Sequence, residues 1–248
     1  MTLDGLESLL TDVAARRRSK AVHLVRYADD FLVISSSKRL LRSHVQPRIE
    51  EFLKARGMRL ATEKTRITHL KQGVEFLGCH LCWTRGALRI TPARANLQHV
   101  LQNIAATIQA NPGASPTRLI QVLTPIIRGW TQYYKHLESR ELFLELDRQA
   151  AQQLWKWAKD QHSGLLKRYR ARQYFLPDPG GLRRFTDHEG HTLYGARETP
   201  YVRYSPIDPA CNPYDAQWAQ YLKQRQADRK QEQASVDEAY QTTNEKIS

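Results

Sequence analysis

The chain carries the sequence HLVRYADDFLVI at residues 23–34, in which two adjacent carboxylates separate two apolar runs. Short runs rich in β-branched residues on either side of a polar break are typical of two strands joined by a tight turn. The pattern therefore predicts a β-hairpin with Asp29 and Asp30 at its tip. Two neighbouring carboxylates repel each other unless a cation lies between them, and hard oxygen ligands suit Mg²⁺, which also binds substrate phosphates.

An ordinary hairpin turn is the alternative, because Asp tolerates turn geometry and hydrogen-bonds its own backbone. The segments downstream favour the metal site. The sequence LATEKTRI at 60–67 and the sequence GVEFLG at 73–78 follow the Asp-Asp pair in this order. With these three segments, the chain resembles the second half of the palm of a group II intron reverse transcriptase.

This resemblance implies roles for four residues. In the family, the turn that corresponds to residues 27–30 is the polymerase metal site, so Asp29 and Asp30 are expected to bind Mg²⁺ in a two-metal site, with Tyr27 beside the nucleic acid. Lys64 stands at the family's Lys-Thr motif, which implies a general acid for the pyrophosphate leaving group or a contact to the triphosphate. A surface lysine on a short strand is the alternative for Lys64.

The composition favours a polyanionic partner. The chain has 248 residues, a formal net charge of +13 and a pI near 9.8. Five basic and five acidic residues cancel between Leu222 and Ser248, so the excess charge lies upstream of Leu222. A basic balance of this size favours nucleic acid, with an acidic membrane surface as the competing partner. No apolar run approaches the ~20 residues that span a bilayer, so no membrane role is expected.

Helical spacing dominates from residue 91 onward. Thr91-Pro92 predicts one helix start, Ser115-Pro116 predicts a second, and a third helix is expected over 141–157. The sequence LTPIIRGWTQYY at 123–134 places Trp130, Tyr133 and Tyr134 at i, i+3 and i+4, which predicts a stripe that faces the core. It also resembles the signature of the maturase domain of group II intron proteins. That resemblance implies a helical bundle that binds intron RNA, with Arg128 and Lys135 as candidate phosphate contacts.

A dense basic run begins at the end of the third helix and continues beyond it. Aromatic residues Trp155, Trp157, Tyr169 and Tyr174 are interleaved with it, and this mixture suits RNA, because cations bind phosphates while rings stack on unpaired bases. A solvated helix face with the rings turned inward is the alternative. The candidate RNA-binding residues of this run are Lys156, Lys159, Lys167, Arg168, Arg170 and Arg172.

Other patterns complete the prediction. Ser37 is a candidate N-cap for a helix that Pro47 kinks and Gly57 ends, and strands are expected around 66–70 and 74–83. Cys79 and Cys82 have the spacing of half a zinc site, but residues three apart in a strand face opposite sides.

The predicted fold class is α+β, with an antiparallel hairpin in a partial palm and an all-helical thumb bundle. The expected divisions are a partial reverse-transcriptase palm at 1–88, a maturase-specific helical domain at 89–176, an irregular extension at 177–221 and a polar tail at 222–248. The tail is expected to be disordered or to form a frayed helix. The resemblance implies group II intron RNA, a DNA target or primer and, in the intact enzyme, dNTP as partners. It leaves a homodimer open and places the protein in the cytoplasm with nucleic acid.

The resemblance begins late in the domain order of the family. The strand aspartate that completes the two-metal site is not among the matched segments, so polymerisation is expected to need the N-terminal half of such an enzyme. A catalytically inactive maturase that binds intron RNA is the alternative function.

Overall fold

The computed structural model describes residues 3–16, 22–161, 173–177, 183–204, 206–208, 211–212, 214–228 and 230–231. The chain divides into two compact units. Unit 1 consists of residues 1–77 and 81–88, and unit 2 consists of residues 78–80 and 89–248. The fold class is α+β, as the sequence predicts, because small sheets and long helices alternate along the chain.

Unit 1 contains helix α1 (Leu6–Arg16) and a hairpin of strands β1 (His23–Tyr27) and β2 (Asp30–Ile34). A continuous helical stretch follows: α2 (Lys38–Leu40), a π-helical turn (Leu41–Val45) and α3 (Gln46–Lys54).

The predicted cap of this helical stretch is confirmed, and its α-helical geometry is interrupted near Pro47. The Ser37 hydroxyl group accepts a hydrogen bond of 3.2 Å from the Leu40 amide. The π turn lies directly before Pro47, which has no amide hydrogen for the preceding turn, and such a gap is a common cause of helix distortion. Apolar residues of α1 and of the helical stretch form the core of unit 1, with Leu6, Leu10, Ile49 and Leu53 among those buried.

The region between the helical stretch and residue 92 differs from the prediction in two places. The strand expected around 66–70 does not form, because residues 66–69 have no regular structure and Leu70 begins a 3₁₀ turn. Lys64 lies in a turn at 62–64. The predicted single strand over 74–83 is a hairpin of β3 (Val74–Phe76) and β4 (Cys79–Thr84), followed by β5 (Ala87–Pro92). Leu77 and Gly78 connect β3 and β4 with φ values of 50° and 75°, the pattern of a type I′ turn.

Unit 2 contains three long helices: α4 (Arg94–Gln109), α5 (Pro116–Tyr134) and α6 (Arg140–Gln161). The start that Ser115-Pro116 predicts is confirmed, because the Ser115 hydroxyl group accepts from the Arg118 amide at 3.2 Å. The start that Thr91-Pro92 predicts is wrong. Those two residues end β5, and α4 begins after Ala93, which has no capping side chain.

The core of unit 2 lies among these helices. Leu97, Ile104, Leu119, Leu123 and Leu154 are all fully buried there. A short hairpin of β6 (Phe175–Pro177) and β7 (Arg183–Phe185) adds Phe175 and Phe185 to the same core. Residues 196–198 form a 3₁₀ turn, and residues 219–228 and 230–231 are helical. None of the described helices is both long and apolar enough to cross a membrane.

Candidate metal site and nucleic-acid interface

The hairpin of unit 1 places the two carboxylates at its tip, as the sequence predicts. Tyr27 pairs with Asp30, so only Ala28 and Asp29 lie in the connection. Ala28 has φ 54° and Asp29 does not have a positive φ, which is the φ pattern of a type II′ turn. Glycine is the usual residue at that first turn position, because a Cβ atom makes the left-handed backbone cost about 1–2 kcal/mol. The tip of this hairpin is therefore strained.

The two faces of the hairpin have different surroundings. Leu24, Phe31 and Val33 pack against the core of unit 1. Residues alternate between faces along a strand, so Asp30 and its cross-strand neighbour Tyr27 lie on the opposite face. Tyr27 is 67% exposed. Among the described residues, none covers the Asp30 face of the hairpin, so a ligand can reach it.

The donor set at the tip fits a hard divalent cation. Asp29 and Asp30 are both exposed, and no hydrogen bond or ion pair to another described residue occupies their carboxylates. Mg²⁺ prefers carboxylate oxygen and keeps several waters or substrate phosphates as further ligands. Two adjacent carboxylates on an exposed turn can supply part of such a coordination shell.

Lys64 is exposed in its turn, where its amide donates to the Ala61 carbonyl oxygen at 3.1 Å. Its role at the nucleotide stays a prediction. Of the candidate RNA contacts in unit 2, Lys156 and Lys159 are exposed on α6, and Lys135 is half-buried just beyond α5. The Arg128 guanidinium group lies 4.7 Å from the centre of the Tyr194 ring, a cation–π distance. Lys167, Arg168, Arg170 and Arg172 lie outside the described residues.

The aromatic residues of the basic run turn inward. Trp157 and Tyr174 are buried with ring centres 5.8 Å apart, and Trp155 packs on Phe175 at 5.2 Å. Tyr169 lies outside the described residues. Stacking on RNA is therefore not open to Trp157 and Tyr174, because the core of unit 2 already holds their rings. Lys156 and Lys159 are exposed and remain candidate phosphate contacts, but these two rings cannot stack on bases beside them.

The prediction that the three rings of α5 face the core is confirmed for Trp130 and Tyr134 and is wrong for Tyr133. Trp130 is half-buried, and its ring centre lies 4.9 Å from that of buried Tyr134 and 5.7 Å from that of Phe143. Tyr133 is instead 67% exposed. With 3.6 residues per turn, Tyr133 lies about 120° around the helix from buried Ile127, outside the stripe that the core covers.

A polar junction anchors α4 and α5 to residue 78. The Gly78 carbonyl oxygen accepts hydrogen bonds from the Ala93 amide at 2.9 Å, from Asn96 Nδ2 at 2.9 Å and from the Tyr134 hydroxyl group at 3.2 Å. Asn96 Nδ2 also donates to the Tyr134 oxygen at 2.9 Å. Burial, the largest influence, raises the pKa of Tyr134, so its hydroxyl group stays a donor. Nothing in the local pattern around Asn96 predicts this junction.

A second polar cluster occupies the turn at 187–191. The Asp187 carboxylate accepts from the amides of Glu189 at 3.0 Å and of His191 at 2.8 Å, and its other oxygen lies 2.9 Å from His191 Nδ1. Burial acts to raise the pKa of Asp187, but hydrogen bonds from His191, Thr117 and the two amides outweigh it and lower the pKa to about 2. The hydrogen bond with Asp187 in turn raises the pKa of His191.

Asp187, Glu189 and His191 place one potential metal ligand each within 4.8 Å of the others. Asp187 already accepts several hydrogen bonds there, which makes it a structural residue of the turn. Among the described residues, no third carboxylate, histidine or cysteine joins Asp29 and Asp30 in a comparable group.

A half-buried carboxylate holds the segment after Tyr194 against α6. Asp147 accepts from the amides of Ala196 at 2.6 Å and Arg197 at 3.2 Å, and Glu198 pairs with Arg184. Burial raises the pKa of Asp147 and of Glu198. The hydrogen bonds to Asp147 link residues about fifty positions apart, so no local sequence signal predicts them.

Two protein-family models match the chain. The model for reverse transcriptase (RNA-dependent DNA polymerase) matches residues 5–81, and the model for the group II intron, maturase-specific domain matches residues 97–175. The first match contains the whole hairpin with Asp29 and Asp30. The second begins inside α4 and contains all of α5 and α6. A search of curated proteins returned no significant match. From these two domain matches and their order, the chain belongs to the group II intron reverse transcriptase/maturase family.

Proposed function

We propose that unit 2 binds group II intron RNA and that the hairpin of unit 1 binds Mg²⁺ for DNA synthesis on an RNA template. The observation that carries the metal part is the exposed Asp29–Asp30 pair on a strained two-residue turn, inside the segment that matches reverse transcriptases. The RNA part is supported by the maturase match over α4–α6 and by the net charge of +13.

The residues of the hairpin have distinct parts in this proposal. Asp29 and Asp30 hold the cation, which neutralises charge on the phosphates during nucleotidyl transfer. Tyr27 lies across the strand pair from Asp30 and offers its exposed ring to the primer or the incoming nucleotide. Lys64, exposed in its turn, is proposed to contact the triphosphate of a dNTP.

A second candidate function is RNA binding without polymerisation. It is favoured by the finding that no third ligand groups with Asp29 and Asp30 among the described residues. A two-metal site needs more ligands than two adjacent carboxylates. The first function therefore requires substrate phosphates, water and a further protein ligand to complete the site.

Two measurements on the whole chain test both candidates. The first is binding of a labelled group II intron RNA over a range of salt concentrations. Each phosphate contact contributes about −0.7 to −0.9 to the slope of log K against log salt, so a basic RNA-binding surface gives a steep negative slope. Affinity that does not depend on salt, or no affinity, contradicts intron binding by unit 2.

The second measurement is primer extension on an RNA template with Mg²⁺, for the unchanged chain and for Asp29→Asn. The variant removes one charge at nearly constant shape, and Asp12→Asn, at another exposed aspartate of unit 1, is the control. Incorporation that Asp29→Asn abolishes and Asp12→Asn retains supports the polymerase role. RNA binding without incorporation by any of the three favours the second candidate.

A further inference from the structure

Three tyrosine rings lie in solvent on two neighbouring segments of unit 2. Tyr133, near the end of α5, is 67% exposed, Tyr201 is 63% exposed and Tyr204 is 54% exposed. Residues 201–204 lie beyond both segments that the family models match. We call Tyr133, Tyr201, Tyr204 and the exposed Arg203 the tyrosine surface. Large rings left in water by a folded chain are candidates for contact with a ligand.

Two hydrogen bonds join the segments that carry these rings. The Val202 amide donates to the Lys135 carbonyl oxygen at 3.1 Å, and His136 Nδ1 donates to the Val202 carbonyl oxygen at 2.7 Å. Both polar backbone groups of Val202 are therefore bonded to the residues that follow Tyr133 and Tyr134. The Tyr204 ring also lies edge-on to the His136 ring, with centres 6.2 Å apart.

The segment that leads to Tyr201 is also fixed. Asp147 on α6 accepts from the amides of Ala196 and Arg197, and the Tyr194 hydroxyl group lies 2.7 Å from buried Thr199 Oγ1. The rings of the tyrosine surface are thus carried by backbone that is held at several points. A ring on a fixed backbone loses less conformational entropy when it binds a partner.

The charge around the tyrosine surface suits a polyanion. Residues 128–137 and 199–204 contain no acidic residue, whereas they include Arg128, Lys135 and Arg203. The acids that border these two segments, Glu138 and Glu198, form ion pairs with Arg89 and Arg184. A protein partner with an acidic surface is disfavoured by the rings, because three exposed tyrosines offer flat faces for stacking and only three hydroxyl groups for pairing with carboxylates.

We propose that the tyrosine surface binds an unpaired stretch of RNA, with the rings stacked on bases and Arg203 on a phosphate. Bases in an A-form helix are stacked on each other, whereas bases in loops are free to stack on aromatic side chains. This inference rests on the proposed RNA binding of unit 2, and it adds a contact outside the segment matched by the maturase model. The surface selects single-stranded over duplex RNA.

Anisotropy titrations with a labelled 12-nucleotide oligouridine and with an RNA hairpin of matched length test the surface. We expect the whole chain to prefer the oligouridine, and we expect Tyr133→Ala and Tyr201→Ala each to weaken that binding about 5-fold or more, the effect of losing one stacked ring. Tyr133→Phe and Tyr201→Phe keep the ring and should keep the affinity. Tyr214→Ala is the control, because Tyr214 is 96% exposed and lies outside the tyrosine surface.

The salt dependence separates stacking from charge. Arg203→Gln should reduce the slope of log K against log salt by about 0.7, while the tyrosine variants should leave the slope unchanged. Ultraviolet cross-linking adds a direct readout, since trypsin releases Tyr133 in residues 129–135 and Tyr201 in residues 198–203. We expect uridine adducts on both peptides.

Three outcomes overturn the inference. If the alanine variants bind oligouridine as tightly as the unchanged chain, the rings do not stack on RNA. If the phenylalanine variants lose as much affinity as the alanine variants, the hydroxyl groups and not the ring faces make the contact. If the unchanged chain binds intron RNA normally but does not bind oligouridine, the inference about the tyrosine surface is wrong while the proposed function stands. Binding of neither RNA would contradict the proposed function as well.

Discussion

The Tyr134 hydroxyl group donates a hydrogen bond of 3.2 Å to the carbonyl oxygen of Gly78, 56 residues earlier in the chain. Asn96 Nδ2 donates to both oxygens, so three residues far apart in sequence share one polar junction. The second tyrosine of the Arg-Gly-Trp-x-x-Tyr-Tyr segment therefore has a structural role in unit 2. Its neighbour Tyr133 is exposed and belongs to a different surface.

Removal of the Tyr134 hydroxyl group should weaken unit 2. Tyr134→Phe leaves Asn96 Nδ2 with one acceptor fewer, and a typical intramolecular hydrogen bond contributes about 0.5–1.5 kcal/mol to stability. We expect a loss of about 1 kcal/mol in the free energy of unfolding, measured with urea and tryptophan fluorescence. Tyr133→Phe removes an exposed hydroxyl group and should change this free energy by less than about 0.5 kcal/mol. Equal losses in the two variants would argue against the junction.

A side chain at Gly78 should disturb the same junction. Gly78 has φ 75°, and a Cβ atom there would lie 2.7 Å from Asn96 Nδ2 and 3.0 Å from the Tyr134 oxygen. Gly86 has φ 80°, but a Cβ atom there would meet nothing within 4 Å. A substitution at Gly86 therefore measures the cost of the left-handed backbone without a steric clash. Gly86→Ala should cost about 1–2 kcal/mol from the left-handed backbone alone, and Gly78→Ala should cost more. The comparison uses urea unfolding, and a Gly78→Ala cost no larger than that of Gly86→Ala would refute the close contact.

The Asp187–His191 pair should make stability depend on pH. The pKa of Asp187 falls from 3.8 to about 2 on folding, so its contribution is present above pH 3.8 and is lost as the pH falls towards 2. The pKa of His191 rises from 6.5 on folding, so its contribution is present below pH 6.5 and is lost as the pH rises through the higher folded value. The pair therefore stabilises the fold most between about pH 4 and pH 6.5.

Thermal unfolding of the unchanged chain and of Asp187→Asn checks this expectation. The difference in unfolding temperature should be largest inside that window and should shrink on both sides of it. Asp12→Asn, at an exposed aspartate of unit 1, should show no such window. A constant difference across the whole range would mean that the two side chains do not form an ionised pair in solution.

Relief of the strain at Ala28 should stabilise the hairpin. Glycine adopts φ 54° without the Cβ clash, although it makes the unfolded chain more flexible, so the net gain from Ala28→Gly should be about 0.5–1 kcal/mol. Amide hydrogen exchange of residues 23–27 and 30–34 measures this local opening. Ala55→Gly, at a position with φ −61°, should destabilise its helix end instead. Faster exchange of the hairpin in Ala28→Gly would contradict the turn geometry.

Local patterns predicted the parts of this structure that depend on neighbours in sequence. The apolar runs around Asp29 and Asp30 specify the hairpin, and Ser37, Pro47 and Ser115 mark helix features through chemistry within one turn. The same logic failed at Thr91-Pro92, because pairing of β5 in its sheet outweighed a local helix-start signal. It also failed around 66–70, where no strand forms.

The remaining features depend on contacts between distant residues. Tyr133 fits a core-facing spacing with Trp130, but the partners of α5 cover only the side that holds Ile127 and Tyr134. The bonds from Asn96 to Gly78 and from Asp147 to Ala196 join segments with no shared local pattern. Polar residues such as Asn96 and Asp147 are unremarkable in sequence until the fold shows what they bind.

Paramagnetic relaxation by Mn²⁺ tests the proposed metal site most directly, because Mn²⁺ replaces Mg²⁺ and broadens nearby amide resonances. The chain offers two acidic positions for comparison, the Asp29–Asp30 tip and the Asp187–Glu189–His191 turn. We predict that substoichiometric Mn²⁺ broadens the amides of residues 27–31 first and that Asp29→Asn with Asp30→Asn removes this effect. Broadening that starts at residues 187–191, or that persists at the tip in the double variant, would contradict a metal site on the hairpin.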